Sequence, residues 1–171
     1  EDARLDAGPQ ANDGSPDNFR LVRSGGDVEG YLNGTLVFKR SLSSLSDFPL
    51  TVTGSGDDDT LTVDFTNGSP IPPFGLSYDG GGQIGQDTLA LTGSVSSILY
   101  TATDAHSGTV LVDGSLISYA GLEPIIDTTT AANREFVFGG GNDTITVAVA
   151  GSSTTVSSRA SESVNFINPT G

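Results

Sequence analysis

The chain has 171 residues, enough for one domain with a core of its own. Its formal net charge is −14, a field that repels nucleic acid and anionic membrane surfaces and suits cations or a saline medium. Cysteine, methionine and tryptophan are absent, which excludes disulfides, thiolate metal sites and cysteine nucleophiles. No apolar run approaches the roughly 18 residues of a membrane span.

In chain order, residues 1–17 are polar, hold two prolines and show no strand pattern, so they read as a linker or flexible entry. Residues 18–40 change character. Phe19–Arg23, Val28–Leu32 and Thr35–Lys39 alternate as short strands, and Asn33-Gly34 between the last two is a two-residue hairpin signal. An antiparallel meander is predicted there. The leucines of "SLSSLSDF" (41–48) suit a short helical turn, and the whole of 18–47 reads as an antiparallel β cap.

From residue 48 a repeat is visible. "DTLTV" at 59–63 returns as "DTLAL" at 87–91 and as "DTITV" at 143–147, with "SLISY" at the intermediate position 115–119. Leu61, Leu89, Ile117 and Ile145 would then form one apolar column, and Val63, Leu91, Tyr119 and Val147 another, as stacked half-buried strands require. Each strand has an upstream companion: Leu50–Val52, Leu76–Tyr78, Val110–Val112 and Phe136–Phe138. The predicted fold is all-β: a parallel β-helix, or β-solenoid, over 48–171 with rungs of about 28 residues, preceded by the small antiparallel meander. An antiparallel sandwich competes, because turn signals at short intervals suit it too; the in-register columns favour the solenoid.

"GSGDDDTLTV", "GGGQIGQDTLAL" and "GGGNDTITV" resemble the hemolysin-type calcium-binding (RTX) repeat. Together with "ANDGSPDNFRLVRSG", "YAGLEPI", "ANREFVFGGGNDTI" and "ESVNFINPTG", they look like a module of very large, repetitive, adhesin-like surface proteins of aquatic bacteria. The resemblance implies a secreted or surface-displayed structural module and no enzyme. It departs from RTX arrays in spacing, because those repeat every nine residues and the Gly-Asp turns here lie much further apart.

Asp outnumbers Glu about three to one, and many Asp residues stand beside Gly or Asn. That is the chemistry of turns and of hard-cation ligands. Calcium is therefore the cofactor to test. Its candidate ligands are Asp57, Asp58, Asp59 and Asp87, with Asn142 and Asp143 further along. The alternative is a corner that uses Asp and Gly for backbone geometry. Catalysis has little to build on. His106 is the single histidine, no nucleophile elbow flanks a serine, and a polysaccharide lyase or hydrolase would have to work from Asp79, Asp104 or Asp113 with Arg134 or Lys39 as base. The expected function is a non-catalytic extracellular module at a cell surface: an adhesin stalk, filament or surface-layer block. Its partners would be neighbouring modules, further copies stacked head to tail, or surface glycans. The C-terminal run "SESVNFINPTG" shows no polar cap, which leaves an end open for such contacts.

Overall fold

The computed structural model describes residues 3–8, 11–82, 87–139, 142–159 and 161–168. Parts of the glycine-rich motifs (83–86 and 140–141) and of both termini lie outside the described residues. The strands are β1 (Arg4–Asp6), β2 (Asn18–Ser24), β3 (Asp27–Leu32), β4 (Thr35–Ser41), β5 (Leu50–Ser55), β6 (Thr60–Asp64), β7 (Leu76–Gly81) and β8 (Thr88–Thr92). They continue as β9 (Ser97–Ala102), β10 (Gly108–Val112), β11 (Ser115–Ala120), β12 (Ile125–Asp127), β13 (Asn133–Val137), β14 (Thr146–Ala150), β15 (Ser153–Ser158) and β16 (Ser161–Ile167). A 3-10 turn at Leu42–Ser44 matches the predicted helical turn.

The strands form two sheets. Sheet A has the order β1-β5-β7-β11-β10-β9-β13, and sheet B the order β14-β15-β16-β12-β8-β6-β2-β3-β4. Consecutive strands alternate between them: β5 lies in A, β6 in B, β7 in A, β8 in B. Within each sheet these strands pair in parallel, β1 with β5, β5 with β7 and β7 with β11 on one side, β2 with β6, β6 with β8, β8 with β12 and β12 with β16 on the other. Three antiparallel meanders, β2–β4, β9–β11 and β14–β16, are inserted into this scheme. Both sheets are mixed, and neither closes on itself.

The core lies between the sheets and is built of cross-strand columns. In sheet A, Leu50, Leu76, Ile117, Val110, Tyr100 and Phe136 are successive paired positions. In sheet B, Phe19, Leu61, Leu89, Ile125 and Val164 form the equivalent column. All are buried except Phe136, which is half-buried and stacks on Tyr100 with ring centroids 5.0 Å apart.

These columns correct the sequence-derived ones at two points. Leu61 and Leu89 do pair, but Ile117 belongs to the other sheet, against Leu76, and Ile125 takes the place expected for it. The cause is the turn at Asp113-Gly114. Their φ angles of 46° and 85° make a tight hairpin that returns β11 beside β10, so the residue spacing is kept while the topology changes. Ile145 is 49% exposed and packs in no column.

The N-terminal segment also differs from its reading as a linker. Arg4–Asp6 form β1, and Ala3, Leu5 and Ala7 are buried. Three residues with one large apolar side chain give too short a pattern to register as periodicity. The meander of 18–47 is likewise continuous with sheet B through β2 and β6, with Phe19 and Leu21 in the shared core.

The register makes a direct prediction. Leu89→Ala, in the middle of the sheet B column, should cost about 2–5 kcal/mol of unfolding free energy in urea titrations. Ile145→Ala, placed in the same column by the simple 28-residue count, should cost under about 0.5 kcal/mol, as surface substitutions do.

Candidate functional site

At the corner where the chain passes from sheet A to sheet B, an aspartate stands immediately before each of the first three parallel strands of B. These are Asp17, Asp59 and Asp87, and they are 2%, 0% and 0% exposed. The carboxylates of Asp59 and Asp87 turn inward and accept the backbone N–H of the aspartate one strand away. Asp17 N–H donates to Asp59 Oδ1 at 2.8 Å, and Asp59 N–H donates to Asp87 Oδ1 at 2.7 Å. The second oxygen of Asp59 accepts the N–H of Ser55. The main-chain ladder continues alongside, with Thr60 N–H on Asp17 O, Thr88 N–H on Asp59 O and Glu123 N–H on Asp87 O. At the head of the column Asn33, in its left-handed turn, donates from Nδ2 to Asp17 Oδ1 at 2.9 Å and accepts Asn18 N–H.

The opposite wall of the corner explains the glycines. A β-carbon on Gly54 would lie 2.2 Å from the Gly80 carbonyl oxygen and 2.7 Å from Asp59 Oδ2. One on Gly80 would lie 2.6 Å from Asp87 Oδ2 and 2.7 Å from the Gly121 carbonyl oxygen. The glycines on sheet A thus vacate the space that the carboxylates of sheet B occupy. Gly-x-x-x-x-Asp in "GSGDDD" is a steric match between two sheets before it is a turn.

Burial without full satisfaction shifts the acids. Asp87 Oδ2, Asp17 Oδ2 and the Tyr78 hydroxyl are buried without a hydrogen-bond partner among the described residues. Burial pushes the Asp87 carboxyl up to about 6, against the opposing pull of the Asp59 N–H and with the help of repulsion from Asp59, Asp58 and Asp79. Asp17 is also raised, chiefly by burial, and the same causes raise the Tyr78 hydroxyl.

The structure brings some of the sequence-derived ligands together and separates others. Asp59 and Asp87 are adjacent and hydrogen-bonded through the backbone. Asp57 is half-buried and accepts Gly14 N–H at 3.1 Å, while Asp58 is exposed. Asn142 and Asp143 precede β14, three strands beyond β12 in sheet B, and share nothing with the column. Among the described residues no group of three or more His, Asp or Glu has the arrangement to hold a metal ion. The acids considered for catalysis are engaged with the backbone: Asp79 accepts Gly81 N–H and Asp104 accepts His106 N–H within local turns, while Asp113 accepts the N–H groups of Ser96 and Ser97 at the start of β9.

Sequence reasoning missed Asp17, although "PDNF" sets an aspartate before a strand just as "DDTL" does. It also missed a second buried charge. Asp127 occupies the inward column Leu21–Val63–Leu91–Asp127–Phe166, where a leucine would be expected. It is matched from sheet A by Arg134, whose Nε lies 2.7 Å from Asp127 Oδ2, and by Tyr100, which donates its hydroxyl to the same oxygen at 2.8 Å; Thr129, just past β12, donates its N–H and hydroxyl to Oδ1. Arg134 also donates to the carbonyls of Thr129 and Ala131 and stacks 5.0 Å above the Phe166 ring.

Comparison with known proteins yields one informative likeness. No family model matches the chain, and no solved structure matches it. The chain is 32% identical over 125 residues to the adhesin BmaC autotransporter of Brucella suis biovar 1 (strain 1330). The aligned part is 73% of this chain and 3% of that protein, so the chain spans a small fraction of the relative it matches.

The aspartate column predicts a pH profile. The folded value of Asp87 lies above its ordinary 3.8, so the folded chain holds a proton that the unfolded chain releases between about pH 4 and 6. Stability from this group is therefore fully present below pH 3.8, falls above it, and is lost as pH rises through about 6. Asp87→Asn keeps the acceptor for Asp59 N–H and removes the charge. It should raise stability at pH 7 by on the order of 1–3 kcal/mol and flatten the gain that the parent chain shows between pH 7 and 5 in denaturant titrations. A loss of stability at pH 7 in Asp87→Asn would mean that the structure uses the charge.

Proposed function

We propose that this chain is a non-catalytic structural module of an adhesin-like bacterial surface protein, displayed outside the cell. The observation that carries this reading is the alternation of strands between two sheets in parallel register. Each added pair of strands prolongs the same core and the same corner, so a chain of this kind grows in one direction, as a β-solenoid does. We read the fold as such a solenoid, interrupted by three-stranded meanders. The likeness to an autotransporter adhesin and the acidic, cysteine-free composition support a cell-surface setting. A spacer in an adhesin stalk or a block of a larger surface assembly is the role that follows. Neighbouring modules are its nearest partners, and surface glycans are the ligand class for the adhesin as a whole.

A second reading, calcium binding at the corner, draws on the unpartnered Asp87 Oδ2 and on the three consecutive carboxylates of Asp57, Asp58 and Asp59. Calcium takes six to eight oxygens. Both oxygens of Asp59 already accept N–H groups, which leaves fewer free donors than the sequence suggests.

Antibodies against the chain should label intact cells of the source organism, and external proteinase K should remove the label. Labelling that needs permeabilised cells would refute the surface assignment. In the same preparation, the thermal midpoint should be unchanged between millimolar calcium and a chelator at constant ionic strength; a clear fall on chelation would favour the calcium reading.

A further inference from the structure

Sheet B runs on past sheet A at one end of the molecule. Its two inward columns finish as Val164–Val156–Val147 and Phe166–Thr154–Val149. Val156 and Thr154 are buried, but Val147 and Val149 are 61% and 67% exposed, and Ile145 beside them is half-exposed. The core-facing side of the sheet thus leaves the core between β15 and β14. The last strand of sheet A explains why. The side chains of β13 are seated on β12 and β16, through Arg134 on Asp127 and Phe136 on Phe166, and leave Val147 and Val149 of β14 exposed.

The exposed edge is also unguarded. Edge strands are normally protected by charge, proline or a bulge. β14 has none of these. At the opposite end of sheet B, β4 carries Lys39 and Arg40 and pairs through a bulge at Gly30/Tyr31. The head-to-tail stacking expected from the sequence would set a bare edge against a guarded one.

We propose that β14 and the free edge of β13 form a joint between two copies of this chain, related by a two-fold axis along the strands. The β14 of each copy extends sheet A of the other beside β13, and Ile145, Val147 and Val149 of the two copies pack face to face between the sheets. The unequal reach of the two sheets is self-complementary under this operation, because the overhang of one copy fills the recess of the other. Charge favours a second copy as the occupant. In a chain of net charge −14 most faces repel their own kind, and β14 carries no charge at all. Area agrees. The exposed side chains of Ile145, Val147 and Val149 offer a few hundred Å² of apolar surface, the size of a functional patch. Two such patches with their paired backbones reach on the order of 1,000 Å², where specific interfaces begin. The inference goes beyond the surface-module reading and stands without it.

Sedimentation of the 171-residue chain from micromolar to near-millimolar concentration should show a monomer–dimer equilibrium. The double substitution Val147→Glu, Val149→Glu should weaken association at least about tenfold with an unchanged far-UV circular dichroism spectrum, because it sets like charges across the axis. Lys39→Ala, at the guarded end, should leave association as it was. Hydrogen exchange on the unsubstituted chain gives an arm free of any folding defect: the β14 amides should slow as concentration rises. A chain that stays monomeric throughout, a dimer that survives the double substitution, or an open series of larger species would overturn the proposal.

Discussion

A carboxylate can be buried between two sheets only if its oxygens meet N–H donors and the opposing backbone leaves it room. Both conditions are met at the corner of this molecule. Asp59 and Asp87 each accept the N–H of the aspartate one strand away, and Gly54 and Gly80 face them without a β-carbon. The bond fixes register, because a slip of one residue would turn the carboxylate outward and drive a side chain into the facing carbonyl. Everything nearer the core inherits that register. Leu61 opposes Leu89, Val63 opposes Leu91, and Tyr78 opposes Val52 because the corner holds the strands in step.

A second buried charge closes the regular part of the core. Asp127 replaces a leucine in its column and is neutralised from the other sheet by Arg134, with Tyr100 and Thr129 completing its hydrogen bonds. Such a pair adds little net stability over a well-packed apolar substitute, but breaking it strands a charge at a cost of about 3–5 kcal/mol. Its geometry ties β12 to β13 and β9 across the sheets at the point where simple alternation gives way to the β14–β16 meander. The two devices differ in kind. The aspartate column links neighbouring strands along sheet B and meets sheet A at Ser55 and the facing glycines, while the Asp127–Arg134 pair joins the two sheets through opposite charges.

Much of the local structure was legible in the sequence. Asn33-Gly34 specified its hairpin, and the alternation of Phe19–Arg23, Thr60–Val63 and Thr88–Leu91 marked true strands, because period-two patterning is a direct image of a half-buried sheet. Long-range pairing was less visible. The Asp113-Gly114 hairpin preserved a spacing while reversing direction, so Ile117 and Ile145 were counted into a column that neither joins. β1 was too short to show a period, and Asp17 lay in a polar stretch that hid its equivalence to Asp59. The inward turn of the aspartates was not legible at all. Asp beside Gly reads as a solvated corner, and only the folded arrangement, in which Gly54 faces Asp59 and Gly80 faces Asp87 from the preceding strand, reveals that the side chain has space inside. This also reorders the chemistry of the motif: the carboxylates that suggested a cation are already committed, in large part, to backbone donors.

The most direct measurement of the aspartate column is native-state hydrogen exchange at single amides. If the column holds the register, the N–H groups of Asp17 and Asp59 exchange only through global unfolding, as slowly as those of Leu61 and Leu89. Exchange of the two aspartate amides at the rate of the exposed Thr144 and Ile145 amides would contradict the column as the constraint on which the fold depends.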